Sequence, residues 1–168
     1  MDLFGETNTE PKLRTLGFYE PFGSLMLHGK IETRWVMAGK KPPFPLGKYL
    51  FYTTKKECDN ITLLNWCGSE IVSEIAGIFG SNEKPSLHGY AIGIGELVDV
   101  CELKASDTNT FVKFKGSKVV QKGDKEITYI QWGLWFENVR KIEPFEWKFG
   151  KQGVGFVPYS ELQKIKKI

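Results

Sequence analysis

Five consecutive residues, Lys30-Ile31-Glu32-Thr33-Arg34, bring a cation, a carboxylate, a hydroxyl and a guanidinium together. In an extended segment alternate side chains share a face, so Lys30, Glu32 and Arg34 would point one way and Ile31 and Thr33 the other. A Lys–Glu–Arg face can hold a phosphate, orient a ligand, or do acid–base work if burial removes the Lys30 proton. It can equally be a solvated, salt-bridged strand face.

Two further clusters have the residue types for ligand binding. One interleaves cations and rings: Lys40, Lys41, Phe44, Lys48, Tyr49, Phe51 and Tyr52, then Lys55 and Lys56. Such a mixture suits phosphates and stacked bases, and also suits a solvated loop followed by an ordinary core strand. The other is Trp132-Gly133-Leu134-Trp135-Phe136-Glu137-Asn138. Alternation puts Trp132, Leu134 and Phe136 on one face and Trp135 and Glu137 on the other, so one of these faces is core. Trp35, directly after the first cluster, either walls a base pocket or packs in the core.

The elements that must position these residues are legible in part. Pro21, then Phe22, Leu25 and Met26, then Gly29 predict a short helix with Pro at its start and Gly as its stop. The charged cluster begins where that helix ends. Residues 38–47 carry three prolines and two glycines, which predicts an irregular basic loop. Lys48–Thr54 has strand composition. Asn60–Phe79 reads as helical, with a break near Gly68, and Ser81–Gly89 as a loop. Tyr90–Cys101 reads as a strand in which Gly93 and Gly95 permit a bulge or a close approach. Phe111–Gln121 and Glu126–Val139 read as two strands joined by the turn Lys122-Gly123-Asp124-Lys125. Short closing strands at Glu143–Lys148 and Val154–Val157 and a terminal helix at Ser160–Lys167 complete the pattern. The expected class is α+β and β-rich: a small, partly closed β-barrel with flanking short helices.

The bulk composition agrees with one domain spanning residues 1–168, its core about 12–158, between a polar N-terminal and a basic C-terminal end. With 41% hydrophobic and 26% charged residues in 168, the chain can bury a core unaided by disulfides or metal. The net charge of +3 is only a weak pointer to an acidic partner. The 14% aromatic content, with five Trp, serves cores and base stacking alike. Three cysteines at no zinc spacing and two histidines argue against a metal site, and no cofactor motif is present. No apolar run reaches membrane-spanning length, and the N-terminus lacks the pattern of a secretory leader. Free thiols fit a reducing compartment, so the expected location is cytoplasmic, without a membrane partner.

Four segments in order resemble the ASCH domain family of the PUA-like superfamily. They are Pro21–Arg34, with its short helix, Gly29, Lys30 and Glu32-Thr33-Arg34; Gly47–Tyr52; Ala91–Val100; and Trp135–Pro144 with Gly150–Gly153. The interval from Gly29 to Glu32 is two residues shorter than the family's usual spacing. The resemblance implies a PUA-like β-barrel that binds RNA or a modified nucleotide. One branch of the family deacylates N4-acetylcytidine with a Lys and a Thr from this turn, and another is linked to RNA cleavage. The leading expectation is therefore RNA or modified-nucleotide binding. Its cleft would be bounded by Lys30–Trp35, the Lys40–Lys48 loop and the strand from Trp132 to Asn138. Arg34 and Lys30 would meet phosphate or carbonyl oxygens, and Glu32 a base amino edge. Trp35, Lys40, Lys41, Tyr52, Trp135 and Asn138 would line the ligand. The alternatives are a hydrolase, amidohydrolase or ribonuclease, using Lys30, Thr33 and Glu32, and a protein-interaction domain.

Overall fold

The computed structural model describes residues 13–57, 75, 88–107, 114–148, 155–157 and 159–165. The expected helical run Asn60–Phe79 lies outside these, except Ile75, which is helical and buried. Met1–Pro11, most of the Ser81–Gly89 loop and the Gly150–Gly153 segment also lie outside them.

The first strand, β1 (Arg14–Glu20), has no counterpart in the sequence expectations. Its Leu16 and Phe18 alternate into the core while Gly17 interrupts the apolar signal. Helix α1 (Phe22–Leu27) follows as expected. It ends because Gly29 adopts φ 68°, a conformation open to a residue without Cβ. The Gly29 amide then donates to Met26 O and the Lys30 amide to Leu25 O, at 3.1 and 3.0 Å. That pair of bonds satisfies the last carbonyls of the helix. It also fixes the backbone of Lys30 before β2 (Thr33–Ala38) begins.

Strand β3 (Gly47–Glu57) pairs antiparallel with β4 (Tyr90–Glu102) and parallel with β1. Strand β5 (Ser117–Lys122) turns through Gly123 and Asp124 into β6 (Lys125–Glu146), the hairpin the turn residues predict. Strand β7 (Gly155–Phe156) and helix α2 (Tyr159–Ile165) close the described chain. The sheet path is β2-β6-β4-β3-β1-β7, with β5 also on β6, and it curls into a half-barrel.

Glu143–Lys148 is not a separate strand. Residues through Glu146 belong to β6, which stays paired with β4 by absorbing three shifts of register. At one of them Ile94 pairs Arg140 and Glu96 pairs Glu137, so β6 carries an extra residue there. Asn138 lies in that bulge with φ 51°, a left-handed conformation that Asn tolerates.

Alternation along β3 splits the core into two layers. Tyr49 and Phe51 face a cluster that includes Phe18, Leu97, Leu134 and Phe136. Leu50 and Tyr52 face a second cluster with Ile94, Trp147 and Ile165, so α2 covers the other side of the sheet. Phe51 sits edge-on between Phe18 and Phe136, with centroids 4.9 and 5.0 Å away. Gly93 and Gly95 serve close approach, as expected: a Cβ at Gly95 would collide with the Phe51 ring, and one at Gly93 with Leu27. These contacts fix how tightly the sheet curls and so how near its two ends come.

Candidate functional site

The charged cluster straddles the end of the helix cap and the start of β2. Ile31 and Thr33 are buried, whereas Lys30 and Glu32 are exposed. The Glu32 carbonyl accepts from the Phe136 amide at 2.9 Å, which ties the segment to β6. Thr33 pairs with Trp135 and Trp35 with Gly133. A Cβ on Gly133 would lie 3.0 Å from both Thr33 Oγ1 and Trp135 Nε1, so the missing side chain lets these groups converge. Thr33 Oγ1 has no hydrogen-bond partner among the described residues. The structure thus groups Thr33 with Gly133 and Trp135, and leaves the Lys30 and Glu32 side chains in solvent.

Arg34 leaves this neighbourhood altogether. It pairs with Leu134, a core residue, and so shares its face of the sheet. Its Nε donates to Gly17 O on β1 at 3.1 Å, and its Cζ lies 5.7 Å from the Phe18 ring centroid. Burial pushes the guanidinium down from its ordinary pKa, and the phenols of Tyr52 and Tyr19 partly oppose that. Among the described residues no carboxylate is among the groups acting on it. The Tyr52 ring lies over Gly17, where an added Cβ would be 2.9 Å from its hydroxyl oxygen. Tyr52 also stacks on Trp147, with centroids 5.7 Å apart. Burial raises the Tyr52 phenol pKa while Arg34 lowers it. Of the predicted site residues, Arg34 and Tyr52 are brought together here, as Thr33 and Trp135 are at Gly133.

The others are dispersed. Lys40 and Lys41 are exposed in the loop between β2 and β3. Asn138 is exposed at the β6 bulge, and its Nδ2 donates to Glu96 Oε2 at 3.3 Å. Trp135 hydrogen-bonds the Cys101 thiol, which is raised above its ordinary pKa mainly by burial and then by Asp99. A neutral thiol is a poor nucleophile. Among the described residues no group of three His, Cys, Asp or Glu side chains is placed to hold a metal ion. Nor is any helix long and apolar enough to cross a membrane.

One polar group escaped the sequence reading. Glu20 is only 3% exposed. Its Oε2 accepts from Ser24 Oγ at 2.8 Å, while Oε1 has no partner among the described residues. Burial raises its pKa to about 7, against the lowering effect of the Ser24 hydroxyl and amide. An acid followed by Pro at a helix start signals capping; nothing local signals that its carboxyl would be enclosed.

No protein-family model matches the chain, and no curated protein matches it. Solved structures do. The crystal structure of ASCH from Zymomonas mobilis aligns over 94% of this chain and 95% of its own, with 12% identity and a TM-score of 0.51. A tyrosine-to-phenylalanine mutant of ZmASCH from the same organism aligns over 94% and 98%, with 10% identity and a TM-score of 0.51. Likeness at so low an identity rests on the arrangement of strands, which is that of the small β-barrel in the ASCH crystal structure.

Proposed function

We propose that the chain binds RNA or a modified nucleotide at the place where Arg34 reaches β1. The observation that carries this reading is a half-buried guanidinium with no carboxylate of the described residues among the groups acting on it, set against Phe18, Tyr19 and Tyr52. A cation held out of water without an anion is costly, and a ligand bringing phosphate or carbonyl oxygens relieves the cost. Aromatic neighbours suit the base of the same ligand. Exposed Lys30, Lys40, Lys41 and Lys48 would add long-range attraction for a polyanion.

Fluorescence anisotropy with short single-stranded RNA, and titration with nucleoside monophosphates, test the reading. Binding should weaken as salt rises. Arg34→Lys should weaken it by about tenfold or more, because an ammonium cannot reproduce the planar fork of donors. Absent or salt-independent binding would remove the reading and leave the protein-interaction alternative ahead. Hydrolysis is an outcome of the same panel with N4-acetylcytidine added. It requires turnover that Lys30→Ala and Thr33→Ala abolish.

A further inference from the structure

The β5–β6 hairpin carries a charge pattern that the Arg34 site does not use. Its register is unbroken: Lys118 pairs with Tyr129, Val120 with Ile127 and Lys122 with Lys125. Cross-strand partners share a face, and alternate residues follow them. One face therefore holds Lys118, Val120, Lys122, Lys125, Ile127 and Tyr129. The other holds Ser117, Val119, Gln121, Glu126, Thr128 and Ile130. All three strand lysines lie on the first face, and the one strand carboxylate, Glu126, on the second. Lys122 Nζ lies 5.7 Å from the Tyr129 ring centroid, as a shared face requires. All three lysines are exposed, and on the opposite face Val119 is 53% exposed, so this ribbon stands in solvent on both sides.

The lysine face continues into the body of the sheet. Pairing with β2 keeps the same register, so Gln131, Gly133 and Trp135 follow Tyr129 on that face, with Trp35 and Thr33 opposite Gly133 and Trp135. A Cβ on Gly39 would touch Ile127 Cγ2 at 3.4 Å, so the loop bearing exposed Lys40 and Lys41 starts against the same ribbon. From Lys125 to Trp135 the strand spans about 33 Å at its ordinary rise. Over that length cations give way to Tyr129, after which the face closes: Gln131 is buried and its Oε1 accepts from the Lys115 amide, and Leu103 lies over Gly133. Asp99, opposite Trp135, ends the cationic run, and Asp124 occupies the turn at the tip.

Lysines on an exposed ribbon also guard against edge-to-edge aggregation. That role is served by lysines on either face, whereas here one face takes all three together with Tyr129. We propose that this face is a track for single-stranded nucleic acid. Lys118, Lys122 and Lys125 would meet successive phosphates, and a base would stack on Tyr129. The track extends the nucleic-acid reading to a second surface and does not require Arg34.

The test uses the full chain and fluorescein-labelled oligouridylate of about 12 nucleotides, within the range that one small barrel covers. Each lost phosphate contact should lower the slope of log K against log salt by about 0.7, so Lys118→Gln/Lys122→Gln/Lys125→Gln should lower it by about 2. Tyr129→Ala should weaken binding by about tenfold through lost stacking. The control triple Ser117→Glu/Val119→Glu/Thr128→Glu changes net charge equally on the other face and should leave the slope unchanged. Equal losses in both triples would mean that net charge alone governs binding, and would overturn the track. Equal binding of duplex or heparin with no effect of Tyr129→Ala would overturn it in favour of a general polyanion surface. Failure to bind oligouridylate would also overturn it, while uridine monophosphate titration judges the Arg34 reading separately.

Discussion

The guanidinium of Arg34 on β2 donates from Nε to the carbonyl of Gly17 on β1, joining the first strand of the sheet path to the one next to its other end. Among the described residues strand β7 pairs with β1 at Arg14 and Thr15. The bond adds a side-chain tie between β2 and β1. Arg34→Met removes a charged donor from a carbonyl in a half-buried setting. Urea unfolding should show a loss of about 1–3 kcal/mol with the transition still cooperative. Unchanged stability would mean that the bond does not hold the two ends together.

Glu20 makes the fold pH-dependent in a direction opposite to that of a salt-bridged carboxylate. Its carboxyl titrates at about 7 in the fold, against an ordinary value of 4.5. The folded chain thus holds a proton that the unfolded chain has released. The resulting stability is complete below 4.5, declines as pH rises and is lost through about 7. A difference of that size corresponds to about 3 kcal/mol. Glu20→Gln keeps an acceptor for Ser24 and should flatten this part of the profile, with its largest stabilisation near about pH 8. Urea midpoints of both proteins across the range check it; parallel profiles would refute the assignment to Glu20.

The contact of Gly95 with Phe51 has little room to give, because that ring is wedged between Phe18 and Phe136. Gly95→Ala should cost about 1–3 kcal/mol by overpacking. Phe51→Leu made in the Gly95→Ala background should cost less than it does alone, since the smaller side chain relieves the clash. Additive losses in this double-mutant cycle would show that the two residues do not compete for the same space.

The bulge at Asn138 can be tested by backbone preference alone. A φ of 51° strains any residue with a branched Cβ. Asn138→Gly should change stability by no more than about 0.5 kcal/mol, whereas Asn138→Val should lose about 1–2 kcal/mol. Thermal unfolding of the two variants discriminates. Equal effects would point instead to the lost bond from Asn138 to Glu96.

What the sequence determined by itself was local. The stop at Gly29, the Gly123-Asp124 turn, the strand at Tyr90 and the need for small residues at Gly93 and Gly95 all follow from the conformations those residues allow. The hairpin turn also sets the register that gathers Lys118, Lys122 and Lys125 on one face. The burial of Ile31 and Thr33 beside exposed Lys30 and Glu32 follows the period of an extended chain. Tertiary structure decided the rest, because it depends on segments far apart in the chain. Strand β1 forms by lying parallel to β3, a strand distant in sequence, and its short run with Gly17 gives no sign of that partner. Glu20 is enclosed because Phe18, Ile92 and α1 meet around Gly23. Arg34 sits in the charged cluster by sequence but on Gly17 by structure: a long side chain goes to the carbonyl that the curled sheet brings within reach.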